Sequence, residues 1–476
     1  MNLNQTLQEK YPHLEVSVLK LSEVKKNIDF RIDDSFWTMK LIYNNKLNYK
    51  KIGECLLKSQ YGISINMNEE GDGIPIYRMN DIDNMLCNFE VKKYALIDKN
   101  ELQTFRLNYG DVLFNRTNSY EFVGRTGIFY NNRENFVFAS YLVRLVCNKE
   151  ILLPEYLTVF LNTHIGKKEI RRRARPSINQ ANVNPEELKE IKIPIFPMEF
   201  QLEIQNLVKD SHKALEESKE LYKKAEETLY LELGLDPKNP LQSLLDSKTN
   251  NPTNSLNISI RTLKESFLKT GRLDSEYYQS KYEDIEKFIK SYPNGYDSFS
   301  NIINNKDTNF TPKNNENYSY IELANIGNNG NISEPISDLG KNLPTRARRI
   351  VSKGDVIISS IEGSLSSCAL ITQEFDKHLV STGFFVLNSK LLNGETLLVM
   401  FKSQIFQEYL KKFPSGTILC AINKEELSKI LIPKIDPTTQ EKIAKYIQES
   451  FNLRKKSKQL LDNAKNKVEE QIQGKT

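Results

Sequence analysis

The sequence predicts an α/β protein of mixed α+β character: two domains in tandem repeat, joined by two long antiparallel coiled-coil helices. Three observations predict this. Four anchor segments recur in one order at a near-constant offset. Each copy mixes short strand-like runs with Gly-Asp turns. Each copy ends in a helical pattern of about 36 residues with a seven-residue beat.

The anchors come in chain order. Phe30-Arg31-Ile32-Asp33-Asp34-Ser35-Phe36-Trp37 meets Gly271-Arg272-Leu273-Asp274-Ser275-Glu276-Tyr277-Tyr278 at an offset of 241. Ile76–Ile82 meets Tyr320–Ile326, and Gly110-Asp111-Val112-Leu113-Phe114 meets Gly354-Asp355-Val356-Ile357-Ile358, both at 244. Glu187-Leu188-x-x-Ile191-x-Ile193-Pro194 meets Glu426-Leu427-x-x-Ile430-x-Ile432-Pro433 at 239, and Gln201 and Ile204 continue the match to Gln440 and Ile443. An Arg–Asp pair that survives duplication (Arg31/Asp33, Arg272/Asp274) reads as a structural bridge. Trp37, matched by Tyr278, reads as core.

The helical patterns cover about Met198–Leu233 and Pro437–Ile472. Gly234, Pro237 and Pro240 stop the first, and Asp436-Pro437-Thr438-Thr439 caps the second. Ile204, Ser211, Ser218 and Ala225 fall on one heptad position. Ile443, Ser450, Ser457 and Ala464 repeat them at offset 239. Small residues in register let two backbones approach, so the helices are expected to pair along this seam. The boundaries are then a first domain over 1–196, a helix over 197–235, a linker over 236–257, a second domain over 258–435 and a helix over 436–476.

Composition narrows the class. Among 476 residues, 39% are hydrophobic and 27% charged, enough to build cores and too apolar for wholesale disorder. No apolar run approaches a membrane span, and no secretory signal is visible. Five cysteines at least 32 residues apart, with no Cys-x-x-Cys pair, suit reduced thiols in a cytoplasm. The net charge of +5 proves no partner by itself. Its distribution says more: Lys167, Lys168, Arg171, Arg172, Arg173 and Arg175 stand against Glu169 alone. A phosphate backbone rewards such a local excess, although a solvated helix face would look the same.

Catalytic patterns with context are absent. There is no phosphate-binding Gly-x-x-x-x-Gly-Lys-Ser/Thr loop and no Gly-x-Gly-x-x-Gly turn. Asn184-Pro185 continues into Glu186, and so fails the Asn-Pro-Pro-aromatic pattern of an amino-methyltransferase. Glu186 and Glu187 beside Lys189 could suggest a metal-dependent nuclease, but the second copy lacks the matching proline and lysine. Acidic residues also suit a helix first turn.

Taken together, these features resemble the DNA-specificity subunit of type I restriction–modification systems. The resemblance spans nearly the full length. It rests on the two-copy plan, on Tyr61-Gly62-Ile63-Ser64, on Gly110–Ser119, on Val123-Gly124-Arg125-Thr126-Gly127, and on the Leu-x-x-Ile-x-Ile-Pro run before each long helix. It implies two target-recognition domains, each reading one half of a split double-stranded DNA sequence, with the helix pair as spacer. It implies modification subunits as partners, and restriction subunits where a system has them. It implies that this chain catalyses nothing and binds no cofactor or metal, while S-adenosylmethionine, ATP and Mg²⁺ belong to partner subunits. Two other readings stand beside it: a nuclease or methyltransferase with an unrecognised site, and a coiled-coil scaffold that binds proteins only.

Reading base edges needs polar side chains on loops held by a rigid scaffold. The expected contacts in the first copy are Arg78, Asn80, Asn115, Arg116, Thr117, Asn118, Ser119 and Arg125, with Lys167, Lys168, Arg171, Arg172, Arg173 and Arg175 on phosphate. In the second copy they are Lys341, Arg346, Arg348, Arg349, Ser359 and Ser360. The apolar anchors are kept between copies, while Arg78 becomes Glu322, Asn80 becomes Ala324 and Arg116 becomes Ser360. The two halves of the target are therefore expected to differ.

Overall fold

The computed structural model describes residues 3–474 apart from 15, 17, 40, 42, 132–134, 247–259, 328 and 417–419. The chain falls into two units. One runs to Leu215 and takes in the stretch from Lys455 onward; the other is Glu216–Arg454. Each unit thus contains part of both long helices, Met198–Glu232 and Pro437–Gln473.

In the first unit the main sheet has six strands, in the order Leu56–Tyr61, Leu142–Cys147, Val112–Asn115, Thr126–Ile128, Leu86–Cys87 and Ile82–Asp83. In the second unit the main sheet runs Ile303–Asn305, Phe384–Ser389, Val356–Ser359, Cys368–Leu370. The first four strands of the larger sheet and the four of the smaller follow one antiparallel plan. A second sheet repeats down to the register. Ile76 and Tyr77 lie parallel to Val137 and Phe138, and Tyr320 and Ile321 lie parallel to Leu379 and Val380. A two-stranded sheet closes each domain, Tyr49–Lys51 on Lys192–Pro194 and Tyr296–Ser298 on Leu431–Pro433.

The repeated residues have repeated jobs. Gly110 and Gly354 take φ of 90° and 87°, a left-handed turn that suits glycine. The next residue then folds its carboxylate back onto the turn. Asp111 accepts from the Asn108 amide at 2.9 Å, and Asp355 accepts from the Ser352 amide at 2.8 Å. The apolar runs that follow are fully buried. Gln201 and Gln440 each fasten a long helix to its domain. Gln201 accepts from the Leu153 amide at 2.9 Å and donates to the Ile151 and Phe196 carbonyls; Gln440 accepts from the Asn393 amide at 2.9 Å and donates to the Leu391 and Ile435 carbonyls.

The Arg–Asp pairs are bridges, as expected. Arg31 binds Asp33 through two nitrogens, at 2.7 and 2.6 Å, and reaches the Arg173 carbonyl at 2.8 Å and Glu187 at 3.3 Å. Arg272 binds Asp274 at 2.7 and 3.0 Å and donates to the Phe413 and Pro414 carbonyls. Trp37 corrects an expectation. It is half-buried, with its indole nitrogen donating to the Arg31 carbonyl at 2.7 Å, while its neighbour Phe36 is the core residue. Tyr278 makes the equivalent bond to the Arg272 carbonyl at 3.0 Å. The indole is kept for its donor, which a phenol can replace.

Arg31 and Glu187 are both almost wholly buried. Burial pushes the Glu187 carboxyl up from its ordinary range, against the pull of Arg31 and Arg175. Arg31→Ala would leave that carboxyl desolvated without its main partner. It should cost about 3 kcal/mol of stability, the scale of a broken buried pair, read as a lower urea midpoint at unchanged slope.

The helix seam is antiparallel within each unit. In the first, Ser211 and Ser457 hydroxyls meet at 2.7 Å and Glu203 pairs with Lys467 at 2.7 Å. In the second, Ser218 and Ser450 hydroxyls meet at 3.0 Å and Thr439 donates to Glu232 at 2.7 Å. All four serines are buried. The first core joins Ile204 and Val208 to Leu461, Ala464, Val468 and Ile472; the second joins Tyr222, Ala225 and Leu229 to Ile443 and Ile447. The expected linker over 236–257 includes a helix, Pro240–Asp246, whose Leu244 is core; residues 247–257 lie outside the described residues.

Candidate nucleic-acid interface

The loop after the strand Val112–Asn115 divides into inward and outward residues. Asn115 is 0% exposed, and its side-chain carbonyl accepts from the Thr117 amide at 3.3 Å. Thr117 is buried and donates to Asn182 at 2.6 Å. Both were expected to touch DNA; both instead shape the loop, because the buried strand pattern continues through them. Arg116, between them, is partly exposed and lies over the Tyr61 ring at 5.2 Å. Asn118 and Ser119 are partly exposed, and Asn118 accepts from the Ser119 amide at 2.8 Å. Arg125 lies over the Phe122 ring at 4.1 Å. Stacking on a ring fixes a guanidinium without using its outward donors. Arg78 is partly exposed and 4.0 Å from Asp81, and Asn80 is exposed on the short turn Met79–Asp81.

The basic run does not form one patch. Thr163 caps the helix His164–Arg173 by accepting from the Gly166 amide at 3.0 Å. Helical periodicity then sends its charges in different directions. Arg173 is buried, paired with Glu169 and donating to the Glu187 carbonyl at 3.0 Å. Arg172 packs over Phe36 at 4.2 Å and donates to the Phe36 carbonyl at 2.6 Å. Arg175 is held by Asp29 and lies 3.6 Å from Glu187. Of the expected phosphate set, Arg172 and Arg173 serve the fold. Lys168 is partly buried. Lys167 and Arg171 face solvent and line a cleft with Arg125 and Lys465, which also holds Asp83, Glu121 and Asp462. Burial, with the positive charges of Lys465 and Arg171, pulls the Lys167 ammonium below its ordinary range. An anion in the cleft would relieve that repulsion.

Beside the loop stands a hairpin that sequence reasoning missed. Strands Arg175–Ser177 and Gln180–Asn182 pair, and the strand Thr117–Asn118 joins them through Ala181 and Asn182. Its turn is Ile178-Asn179, with Asn179 at φ 61°, a conformation that asparagine tolerates. Strands of three residues carry too little alternation to be legible; the surviving signal was the polar Ser177, Asn179 and Gln180 around one isoleucine.

In the second unit Ser359 is buried, its hydroxyl 2.8 Å from that of Ser364, and Ser360 donates to the Gly383 carbonyl at 2.9 Å. Ser359 was an expected contact and is a strand residue facing inward. Arg349 donates to the Phe384 carbonyl, and its Nε is buried. Arg348 is tied to the Thr345 carbonyl at 2.9 Å and to Thr311 at 3.1 Å. Lys341 and Arg346 are exposed.

Residues 50–227, which hold the Arg116 loop, the hairpin and the cleft lining apart from Asp462 and Lys465, match the family of the type I restriction modification DNA specificity domain. That segment is similar to the type I restriction modification DNA specificity domain. The chain is 22% identical over 427 residues to the MjaX specificity subunit of Methanocaldococcus jannaschii, named as part of a type I restriction enzyme, covering 88% of this chain and 91% of that one. It is 27% identical over 161 residues to the EcoKI specificity subunit of Escherichia coli, covering 33% and 34%. Among solved structures, it is similar to a type I restriction–modification S subunit from M. genitalium at 14% identity and a TM-score of 0.43, over 90% and 96% of the chains. Among the described residues, no helix is long and apolar enough to cross a membrane.

Proposed function

We propose that this specificity subunit reads a bipartite, asymmetric duplex target, one half per unit, and brings modification subunits to it, together with restriction subunits where the system has them. S-adenosylmethionine, ATP and Mg²⁺ act on those partners, in the cytoplasm. The observation that carries this reading is the duplication itself. Four main-sheet strands keep their order and antiparallel pairing, while the loop residues Arg78, Asn80 and Arg116 are replaced by Glu322, Ala324 and Ser360. Equal scaffolds with different contact chemistry suit two unlike half-sites. In the first unit, Arg116, Asn118 and Ser119 are the candidate base readers, and Arg125, Lys167, Arg171 and Lys465 the candidate phosphate contacts. In the second, Lys341 and Arg346 supply the exposed positive charge. The helix pair, by its length, sets the separation between half-sites.

The test is salt-dependent duplex binding by the full chain. Lys167→Glu with Arg171→Glu should weaken binding to all sequences and lower the salt slope by roughly 0.9 for each lost phosphate contact. These two side chains face solvent, so thermal stability should be unchanged. An unaltered slope would leave the cleft as a solvated surface. Methyl transfer by this chain alone would overturn the non-catalytic reading.

A further inference from the structure

The tip of the hairpin Arg175–Asn182 carries an isoleucine where a polar residue is the norm. Ile178 is 91% exposed, more than any other large hydrophobic side chain among the described residues. Turn positions favour Gly, Asn, Asp, Ser and Pro, and a β-branched side chain gains nothing there from the fold. Scattered exposed apolar residues are ordinary. This one differs in its setting. The hairpin is bonded to the reading loop through Ala181 opposite Asn118, and the Val183 amide donates to the Arg116 carbonyl at 2.9 Å. The residues around the tip, Arg175, Pro176, Ser177, Asn179 and Gln180, are all exposed. In the second unit, Ile361 bridges Ala421, as Asn118 pairs with Ala181 in the first.

An apolar side chain raised on a rigid two-stranded support, among donors suited to phosphates and base edges, has the form of a wedge. Such side chains enter between base pairs, unstack one step and kink the duplex. We propose that Ile178 is a wedge that enters the base stack of the first half-site and opens one step there. This rests on the DNA-reading function above. No covalent chemistry is involved: stacked bases separate, and the isoleucine covers the exposed face.

The experiment uses the full chain co-purified with its modification subunits. The probe is a duplex carrying the target found by methylation mapping, with 2-aminopurine placed in turn at each position of the first half. Wild type should raise the fluorescence at one step. Ile178→Ala should abolish that rise and bind roughly ten-fold more weakly, the scale of one lost stacking contact. Ile178→Leu should restore both. A base extruded by a modification subunit would still fluoresce with Ile178→Ala, so a rise that survives this change overturns the wedge. Tight wild-type binding with no rise at any position also overturns it, and leaves the DNA-reading function intact. Loss of the modification subunits from Ile178→Ala preparations would assign the residue to a protein contact and overturn the wedge. Failure of the wild-type complex to bind the duplex at all would sink the reading function itself, and the wedge with it.

Discussion

Exchanging residues 56–147 for the matching segment of a related specificity subunit should replace one half of the DNA target and leave the other half unchanged. The segment contains every strand of the first unit's main sheet and carries Arg78, Asn80 and Arg116. It leaves in place the two-stranded sheet Tyr49–Lys51 with Lys192–Pro194, and the contacts by which the domain holds the long helices. Those contacts include Gln201 on the Leu153 amide, Gln205 on Glu155 at 2.9 Å, and the His164 amide on Glu469 at 2.6 Å. A cut at the domain's outer boundary would disturb all of them; a cut inside avoids this. Methylation mapping of the hybrid reads the outcome. Specificity for a half-site is worth several kcal/mol, so the old first half should lose recognition by orders of magnitude. A change in both halves would show that the units do not read independently.

Removing one heptad from each long helix should shorten the gap between half-sites by about three base pairs. Seven residues at 1.5 Å are about 10 Å of helix, against 3.4 Å per base pair of DNA. The deletions 214–220 and 448–454 suit the seam. They remove Ser218 with its partner Ser450, keep Ser211 with Ser457, and bring the residues beyond them together in the original antiparallel register. Arg454 goes with them, along with its 2.9 Å bond to Ser218, whose partner has gone too. The half-site sequences should be unchanged and only the interval between them reduced. An unaltered interval would show that helix length is not what sets it.

The architecture was legible because duplication made it so. A Gly-Asp turn, an Arg–Asp bridge or a helix-fastening glutamine is weak evidence once; found twice in order, each marks a conserved geometric task. The site was less legible, for three physical reasons. Asn115, Thr117 and Ser359 are polar, and polarity after an apolar run suggested an exposed loop. Their side chains instead satisfy buried neighbours, and only three-dimensional contact distinguishes a loop-shaping asparagine from a reading one. The basic run looked like one patch in sequence. A helix turns 100° per residue, so Arg173 meets Glu169 in the interior while Lys167 and Arg171 face water. Lys465 was invisible as a member of the cleft because it lies almost 300 residues from Lys167 in the chain. No local pattern carries that separation.

The division of the chain has a consequence for its synthesis. The core of the first unit contains Leu461, Ala464, Val468 and Ile472, which are translated after the whole of the second unit. The second unit, Glu216–Arg454, has its whole set of core residues before that point. Emerging from the ribosome, the N-terminal domain must wait with an open apolar face between its helices and sheet. The domain encoded later is the first able to close. The order of completion is therefore the reverse of the order of translation. A premature stop just after Arg454 would strip core residues from the first unit, leaving those of the second in place.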